Sequence, residues 1–594
     1  MRTYLKLLLC LLLIVSAVFV PGCTGTNPPD EPVTDPAVDT VVPEETTVPA
    51  ETEPPIRNLA IVGEGKSSYA VIIPEGAEKW VNTASKTVVD AIEETTGVKL
   101  NWTDDFLDNS QKPGSYEILI GLTNRMESQA VWGELPYGEY VIHAVGDKLV
   151  IAAWDEVSLQ TACDALAAQI KNDASTGSWS VAPDFTLQGT GFKGLSDLPH
   201  YGEQDERVQF VDLGDNCYML YAADTDLAEF ESYFATLEDA GYKQFALREM
   251  GDNLHAIYTN DKKIIHASYT AKDKDARISI EKAYDMSLFV ESEYEKVCEP
   301  SVTMVGLERY GKDENGFYNQ IGLCLIFQLE DGRFIVVDGG GHDSKMADVI
   351  YTALRKMVVD KKSITVAAWI FTHAHSDHTG SFVKFTNAGK NKTVKVQHFI
   401  HHFSTPEQYQ GIDDGPDESR SQQVRDLLKS AYPGVPVIKA HTGQVIRAGG
   451  VELEMIYTYE DLEPSHLEYH NTTSLVFRVT SHDNSIMVLG DASRRVSKYL
   501  VPAYGEYLRS DMVQVSHHGY TGGTEQLYEA IDADVVLIPT GIASIDGTKD
   551  SRLERSYNAR AVELAEEVYI AGKSMFTFTF PYTPEVTGEP KIIK

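Results

Sequence analysis

The sequence is poor in positive charge. It contains 51 Lys and Arg residues against 88 Asp and Glu residues, and its formal net charge is −37 over 594 residues. No run of Lys or Arg forms a local basic patch in this acidic background. Because such a surface repels phosphate backbones, we expect no nucleic-acid partner. The length exceeds that of a single domain and favours several folded units.

Cysteine is scarce as well. The six cysteines are scattered along the chain, and none belongs to a CxxC pair. This spacing argues against a disulfide framework. Cys163 falls on the apolar face of a predicted helix, and Cys324 falls inside a strand pattern. We therefore expect both to be core residues rather than ligands.

The apolar run at residues 7–20 is short for a membrane span. It has fourteen residues and follows Arg2 and Lys6, whereas a spanning helix needs about 20 residues. The pattern predicts a signal peptide at residues 1–22. Its VPGC ending resembles the lipobox of bacterial lipoproteins, which implies that Cys23 carries a lipid and anchors the protein to the bacterial cell membrane, facing outward. The alternative is a secreted protein that is cut nearby.

Residues 23–57 are predicted to be a disordered tether. Between positions 24 and 56 the sequence has eight prolines, eight acidic residues and no Lys or Arg. Such a segment cannot bury enough apolar surface to fold, and its like charges extend it. It would hold the folded part of the protein away from an anionic membrane surface.

An α+β accessory domain is predicted at residues 58–190. Residues 83–97 and 158–170 have the apolar periodicity of helices, and residues 140–154 have the pattern of a hairpin. The order of these elements resembles a non-catalytic domain found ahead of the catalytic domain in some carbohydrate-active enzymes. The resemblance implies that residues 58–290 could contact a glycan.

A second, smaller α+β domain is predicted at residues 195–290. Its amphipathic helix at 226–241 has four apolar residues on one side: Leu227, Phe230, Phe234 and Leu237. Strand patterns follow at 253–260, 263–270 and 276–283. No residue of this domain indicates chemistry, and its aromatic side chains are expected in the core.

The third unit, residues 300–594, contains the stretch FTHAHSDHTG at positions 371–380. The apolar run at 363–373 predicts a buried strand that delivers side chains at its carboxyl end. Residues two apart in an extended chain point the same way. His373 and His375 are therefore predicted to reach one metal ion together.

Two further ligand-type residues, Asp377 and His378, follow at once. A turn into a helix near Gly380 can aim them at a second metal beside the first. Imidazole and carboxylate groups are natural ligands of Zn²⁺. This HxHxDH stretch resembles the signature of the metallo-β-lactamase superfamily, which implies an α/β fold, a four-layer αββα sandwich with metals at one edge of its sheets.

Other superfamily motifs occur on both sides of this stretch, in the expected order along the chain. A hairpin turn at Asp331–Gly332 leads to a DGG motif at Asp338–Gly340. The strand ending in LGD supplies Asp491, which the resemblance implies to be the bridge between two metals. The VSHHG motif supplies His517 and His518, one of which would complete the ligand set.

The segments NTTSLVFRV, VLGD and VSHHG most resemble the subgroup that includes the ComEC competence protein and some secreted phosphodiesterases, such as the phosphorylcholine esterases of bacterial cell walls. There are two departures. Either His470 or Asn471 stands where many members have a histidine, and Asn558 stands where ComEC-like members have Gly-His-Pro. Fewer imidazoles are then left for the second metal. We expect two zinc ions, with a single ion as the alternative and manganese as a substitute.

The chemistry that the resemblance implies is hydrolysis by direct attack of a metal-activated water. Asp377 would hold the second metal and orient the nucleophile, and Asp491 would bridge the metals. The remaining ligands would set the geometry: His373, His375, His378 and one of His517 and His518. No serine or cysteine nucleophile is required.

Three functions compete on this scaffold, because fold alone does not decide function. The first is hydrolysis of a phosphodiester or related ester in the cell envelope or outside the cell. The second is a nuclease of ComEC type, against which the net charge argues. The third is a non-enzymatic, glycan-binding surface lipoprotein with a decayed hydrolase domain, against which the retained acidic positions argue. His398, His401 and His402 lie too far from the motifs to be assigned as ligands.

Overall fold

Five β-sheets and ten α-helices make up the described part of the chain. The computed structural model describes residues 57–107, 111–192, 194–202, 208–307, 322–341, 344–359, 363–405, 408, 419–465, 467, 469–540, 556–587 and 590–593. The predicted signal peptide, Cys23 and nearly all of the predicted tether lie outside these residues. Within them, no helix combines the length and apolarity that a membrane crossing requires.

The first region has a six-stranded sheet in the order β3-β2-β4-β6-β5-β8 and a separate pair, β1-β7. Its strands are β1 (Leu59–Val62), β2 (Ala70–Ile73), β3 (Asn101–Asp104), β4 (Glu117–Ile120), β5 (Glu139–Val145), β6 (Lys148–Ala153), β7 (Trp179–Val181) and β8 (Thr186–Thr190). Its helices are α1 (Lys79–Thr96), α2 (Met126–Gly133) and α3 (Glu156–Asp173).

Two long helices, α1 and α3, pack their apolar faces against this sheet. Val88 and Ile92 of α1 and Cys163 of α3 are fully buried, as the helical periodicity predicts. The first helix ends at Gly97, whose φ of 74° is left-handed and therefore favours glycine. Strands β5 and β6 form the predicted antiparallel hairpin.

The second region is one antiparallel sheet with a single helix. Its strands are β9 (Val208–Gly214), β10 (Cys217–Ala222), β11 (Lys243–Met250), β12 (Asn253–Thr259), β13 (Lys263–Thr270) and β14 (Asp275–Lys282), in the order β11-β12-β13-β14-β10-β9, with helix α4 (Leu227–Asp239). The buried residues of α4 are Phe230, Tyr233 and Leu237. Leu227 was predicted on this face but is 39% exposed, and it is the first residue of the helix.

The third region contains two eight-stranded sheets. The first sheet consists of β15 (Ser301–Met304), β16 (Leu325–Gln328), β17 (Phe334–Val337), β18 (Ile364–Ile370), β19 (Val394–Val396), β20 (Phe399–His401), β21 (Val437–Lys439) and β29 (Phe576–Thr579). The second sheet consists of β22 (Val445–Ala448), β23 (Val451–Tyr457), β24 (Val476–Ser481), β25 (Asn484–Val488), β26 (Met512–Gln514), β27 (Val535–Ile538), β28 (Glu567–Ile570) and β30 (Lys591–Ile593). Six helices accompany them: α5 (Ser344–Met357), α6 (Ser376–Asn387), α7 (Arg420–Ala431), α8 (Arg494–Tyr504), α9 (Glu525–Ile531) and α10 (Ala559–Leu564).

The two large sheets face each other, and helices cover their outer sides. Phe327 of β16 and Phe477 of β24 belong to the apolar layer between the sheets. Phe382 of α6 packs on the outside of the first sheet, and Leu500 of α8 packs on the outside of the second. The order helix, sheet, sheet, helix confirms the predicted αββα sandwich and its α/β class.

Parallel pairing of strands places the predicted metal ligands at one edge of each large sheet. Strand β17 pairs in parallel with β18, and β25 pairs in parallel with β26. The carboxyl ends of parallel strands meet at the same edge. The segments that follow β17, β18, β25 and β26 therefore lie close together, and these are the segments that contain the predicted ligands.

Residues 57–594 form one compact unit, in which polar contacts join the second region to the sandwich. Arg248 Nη2 lies 2.6 Å from Glu454 Oε1. Lys439 Nζ donates to the carbonyl of Leu213 over 2.9 Å. The antiparallel sheet of the second region thus contacts β21 of the first large sheet and β23 of the second.

Candidate metal centre

Strand β18 delivers the first two histidines. It is buried and pairs on both sides with parallel strands, which its run of apolar and β-branched residues favours. Three residues after its end, His373 is fully buried. The Nε2 atom of His373 lies 3.0 Å from the Nδ1 atom of His375, so the structure brings together the pair that alternation along an extended segment predicts.

Asp377 and His378 lie in the first turn of α6. This helix begins at Ser376, earlier than the predicted turn near Gly380, so both side chains project from a helix amino terminus rather than from the loop before it. The positive end of the helix dipole there favours a carboxylate. Asp377 is 21% exposed, and its Oδ1 atom lies 3.9 Å from His378 Nε2.

Asp491 lies between two groups of ligand atoms. Its Oδ1 atom is 3.1 Å from His378 Nε2 and 3.4 Å from His518 Nε2. Its Oδ2 atom is 3.9 Å from Nε2 of His373. Although the carboxylate is buried, neither oxygen accepts a hydrogen bond. The preceding Gly490 has a φ of 53°, and a Cβ there would meet Thr372 at 3.0 Å, so this turn requires glycine.

The two histidines of the VSHHG motif differ in position. Both have left-handed backbone angles, with φ of 51° at His517 and 53° at His518, so the chain turns sharply at the end of β26. His518 is fully buried, and its Nε2 atom lies 3.3 Å from Asp377 Oδ2. His517 is 30% exposed, lies 3.9 Å from Asp491 Oδ2 and contacts Thr521 through Nδ1. The geometry therefore favours His518 as the ligand.

The residues ahead of Asp491 form a short turn at His470–Thr473. The imidazole ring of His470 lies 5.2 Å from the ring of His375, centre to centre. His470 and Asn471 are both buried. Of the two residues predicted for this position, His470 thus stands beside the first histidine pair.

The donor atoms have separations that fit metal ligation. Tetrahedral zinc with bonds of about 2.0–2.2 Å separates its ligands by about 3.3–3.6 Å. His378, His518, Asp377 and Asp491 offer atoms that all lie within 4.8 Å of one another, and so do His373, His375 and Asp491. The shared member is Asp491, which has one oxygen for each group. The residues therefore fit two adjacent ions.

Electrostatics give the acidic ligands the protonation state that a metal requires. Burial raises the pKa of Asp377, but the hydrogen bond with His518 and the nearby His378 outweigh it and lower the pKa below its ordinary value. The pKa of Asp491 is also lowered, because the imidazoles around it outweigh its burial. Burial and neighbouring imidazoles lower the pKa of His373. Both carboxylates are thus ionised and His373 is neutral.

Asp338 has a role that the sequence did not reveal. It follows β17, is fully buried, and accepts hydrogen bonds from the backbone N–H and the hydroxyl of Thr372. It also accepts from Nδ1 of His378 over 2.7 Å. This contact fixes the tautomer of His378 and leaves Nε2 to face Asp491. The DGG motif marked Asp338 in the sequence, but the contact with His378 depends on the parallel pairing of β17 with β18.

The remaining candidates have other positions. Asn558 is fully buried, but its Nδ2 atom donates to the carbonyl of Ser516, so it supports the segment that carries His517 and His518 rather than a metal. His402 is buried beside His441, in a separate cluster. His342, which follows the DGG motif in the sequence, lies outside the described residues.

One family model and several solved structures match part of this chain. Residues 319–539 match the family model of the metallo-beta-lactamase superfamily. No curated protein matches the chain. Among solved structures, the metallo-beta-lactamase fold protein YhfI from Bacillus subtilis is 15% identical, with a TM-score of 0.30, and the match covers 47% of this chain and 99% of that one.

Two further solved structures show similar coverage. Zn²⁺-bound PqqB from Methylobacterium extorquens is 8% identical with a TM-score of 0.30, over 47% of this chain and all of its own. Unliganded yeast PDE1 is 13% identical with a TM-score of 0.28, over 48% of this chain and all of its own. The family match includes strands β16 to β27 and therefore all the residues that are candidate ligands of this metal centre. Residues 319–539 are a metallo-beta-lactamase superfamily domain.

Proposed function

We propose that the protein hydrolyses a phosphodiester or related ester with two zinc ions, or manganese ions in their place, at the outer face of a bacterial cell membrane. The observation that carries this proposal is the carboxylate of Asp491. It is buried, it accepts no hydrogen bond, and each of its oxygens faces a different group of imidazoles. A carboxylate in that position suits a bridge between two cations.

Two groups of residues would each hold one metal ion. His373, His375 and Asp491 would hold one ion, and Asp377, His378, His518 and Asp491 would hold the other. When bound, two such ions lower the pKa of a shared water and offset charge that develops on the reacting ester.

Asp377 is the residue best placed to handle a proton. It is ionised and 21% exposed, so its carboxylate can orient a water that enters from solvent and accept its proton. Asp338 acts indirectly, because it holds His378 in a single tautomer. No side-chain nucleophile is needed for this chemistry.

The substrate class and location rest on the sequence. The segments NTTSLVFRV, VLGD and VSHHG resemble those of secreted phosphodiesterases, and a pair of cations suits a phosphodiester because both the attacking and the leaving oxygen need stabilisation. The net charge of −37 disfavours a long polyanion such as nucleic acid. The signal segment with Cys23 supports a lipid anchor, and the tether would place the domain outside the membrane.

Hydrolysis of bis(p-nitrophenyl) phosphate by the zinc- or manganese-loaded full chain tests the proposal. We expect turnover of this diester to exceed turnover of the lactam nitrocefin and of single-stranded DNA. Asp377→Asn should lower kcat by about 10²-fold or more, since a positioned proton acceptor contributes that much. The control is Asp90→Asn in α1, whose side chain is 47% exposed, and it should leave turnover unchanged. Hydrolysis of the lactam or of DNA without the diester would contradict the proposal.

A further inference from the structure

A second cluster of ligand-type side chains lies between the small antiparallel sheet and the sandwich. Cys217 begins β10, Glu281 lies near the end of β14, and His441 follows β21. One donor atom of each residue lies within 4.8 Å of the donor atoms of the other two. All three residues are buried. The sequence did not predict this cluster, because the three residues belong to segments far apart in the chain.

The orientation of His441 is fixed by a carboxylate. Its Nδ1 atom donates to Glu460 Oε2 over 2.8 Å. Its Nε2 atom lies 3.5 Å from Glu281 Oε1 and makes no hydrogen bond. Metal-binding histidines commonly donate one ring N–H to a carboxylate so that the other nitrogen faces the metal. His441 has this arrangement before any ion is added.

Glu281 is positioned in a similar way. Its Oε1 atom lies 3.1 Å from His266 Nε2, and the ring of His266 stacks on the ring of His441 with centres 3.9 Å apart. Burial raises the pKa of Glu281, but the hydrogen bond with His266 and the nearby His441 lower it to about 2. The carboxylate is therefore ionised across the physiological range.

Apart from Glu281 and His441, Cys217 has apolar neighbours. Its side chain packs with Leu213, Tyr459 and Leu467, so the cluster is closed to solvent. Burial raises the pKa of its thiol, although His441 lowers it in part. A metal removes that proton on binding, since only the thiolate ligates. One thiolate and one carboxylate would then match the charge of a divalent cation.

We propose that Cys217, Glu281 and His441 form a third metal site, which takes a zinc-like transition metal and joins the antiparallel sheet to the sandwich. A thiolate with an imidazole selects such ions over magnesium or calcium. The site is buried, and its ligands come from both the antiparallel sheet and the sandwich, so its role is to hold these two parts of the fold together. The alternative is a metal-free network in which protonated His441 pairs with Glu281 and Glu460.

Cobalt substitution separates this site from the first centre, because only this site contains sulfur. We expect the Co²⁺-loaded full chain to show a sulfur-to-cobalt charge-transfer band in the near ultraviolet. Cys217→Ser should remove the band. Cys324→Ser is the matched control, since Cys324 is also fully buried but belongs to none of the ligand clusters among the described residues; it should retain the band.

Asp491→Asn makes the result independent of the proposed hydrolase activity. That variant should keep the charge-transfer band although the first centre is impaired. A wild-type chain whose visible cobalt bands show a filled first centre, yet which has no charge-transfer band, would overturn the third site without any variant. Persistence of the band in Cys217→Ser would overturn it as well. If Cys217→Ser does not fold, Glu281→Gln should still change the band's position or intensity, and an unchanged band would count against the site.

Discussion

The Nδ1 atom of His378 lies 2.7 Å from Oδ2 of Asp338, and both side chains are fully buried. The contact makes His378 a nitrogen ligand with a fixed tautomer. In Asp338→Asn the amide can still accept from the backbone N–H of Thr372, but its NH₂ group would face Nδ1 of His378. The other tautomer would then be favoured, with its proton directed at the metal position.

Asp338→Asn should therefore lower zinc affinity by about 10–100-fold, the range typical of such supporting contacts. Competition with a chromophoric chelator measures this affinity, and circular dichroism checks that the fold is kept. Thr386→Ser, a conservative change in α6 away from the ligands, is the control and should bind zinc like the wild type. Wild-type affinity in Asp338→Asn would show that the contact does not orient the ligand.

The two histidines of the VSHHG motif should differ on substitution. His518 is fully buried and lies within 3.4 Å of both Asp377 and Asp491, whereas His517 is 30% exposed and lies 3.9 Å from the nearer oxygen of Asp491. We expect His518→Ala to lose one zinc ion per chain and His517→Ala to keep the wild-type content. Mass spectrometry of the metal-loaded proteins gives the count. The opposite pattern would assign the ligand to His517.

Asn558 should matter for stability. Its side chain donates to the carbonyl of Ser516 and accepts from the hydroxyl of Tyr528. Removing it in Asn558→Ala leaves buried polar atoms without a partner, which costs about 1–3 kcal/mol. Urea unfolding measures the loss in the free energy of unfolding, and the exposed Asn101→Ala in β3 serves as the control. A change no larger than that of the control would remove the supporting role of Asn558.

Stability should depend on pH through Asp461. Burial, together with the nearby Glu460, raises the pKa of Asp461 from 3.8 to about 7. The folded state therefore holds a proton that the unfolded state releases, so the stability that this proton provides is complete below about pH 4 and is lost as the pH rises to about 7.

Asp461→Asn removes this dependence, because an amide carries no charge and can keep the hydrogen bonds from Thr442 and from the backbone of Thr458. Its stability relative to the wild type should increase between pH 4 and pH 7 and then stay level. Urea unfolding of both proteins at pH 5 and pH 8, in the presence of a chelator, gives the comparison. A constant difference across this window would mean that Asp461 titrates normally.

Much of the sandwich could be predicted because its signals are local. The apolar run before His373 is a buried strand, and two-residue alternation is enough to bring His373 and His375 together. The start of α6 at Ser376 was placed too late, because helix boundaries depend on capping contacts that an apolar pattern does not encode. Leu227 was misplaced for a related reason, since periodicity identifies a helix face but not how well the first residue of the helix is covered.

Contacts between distant segments could not be predicted. Asp338 reaches His378 only because β17 and β18 are adjacent and parallel, and Asn558 contacts Ser516 although 42 positions separate them in the chain. Cys217 and His441 meet only because the antiparallel sheet docks on the sandwich. A single sequence does not state which strands become neighbours, so it identifies ligand-type residues more readily than the residues that orient them.

Metal content of the wild type beside Asp491→Ala tests the central claim most directly. Both proteins would be loaded with zinc and analysed by mass spectrometry, with hydrolysis of bis(p-nitrophenyl) phosphate measured on the same samples. If Asp491 bridges two ions, the variant should hold at least one zinc ion fewer than the wild type and should lose activity by about 10³-fold, the effect of several kcal/mol in the barrier. Equal metal content, or undiminished hydrolysis in the variant, would contradict a two-metal centre built around Asp491.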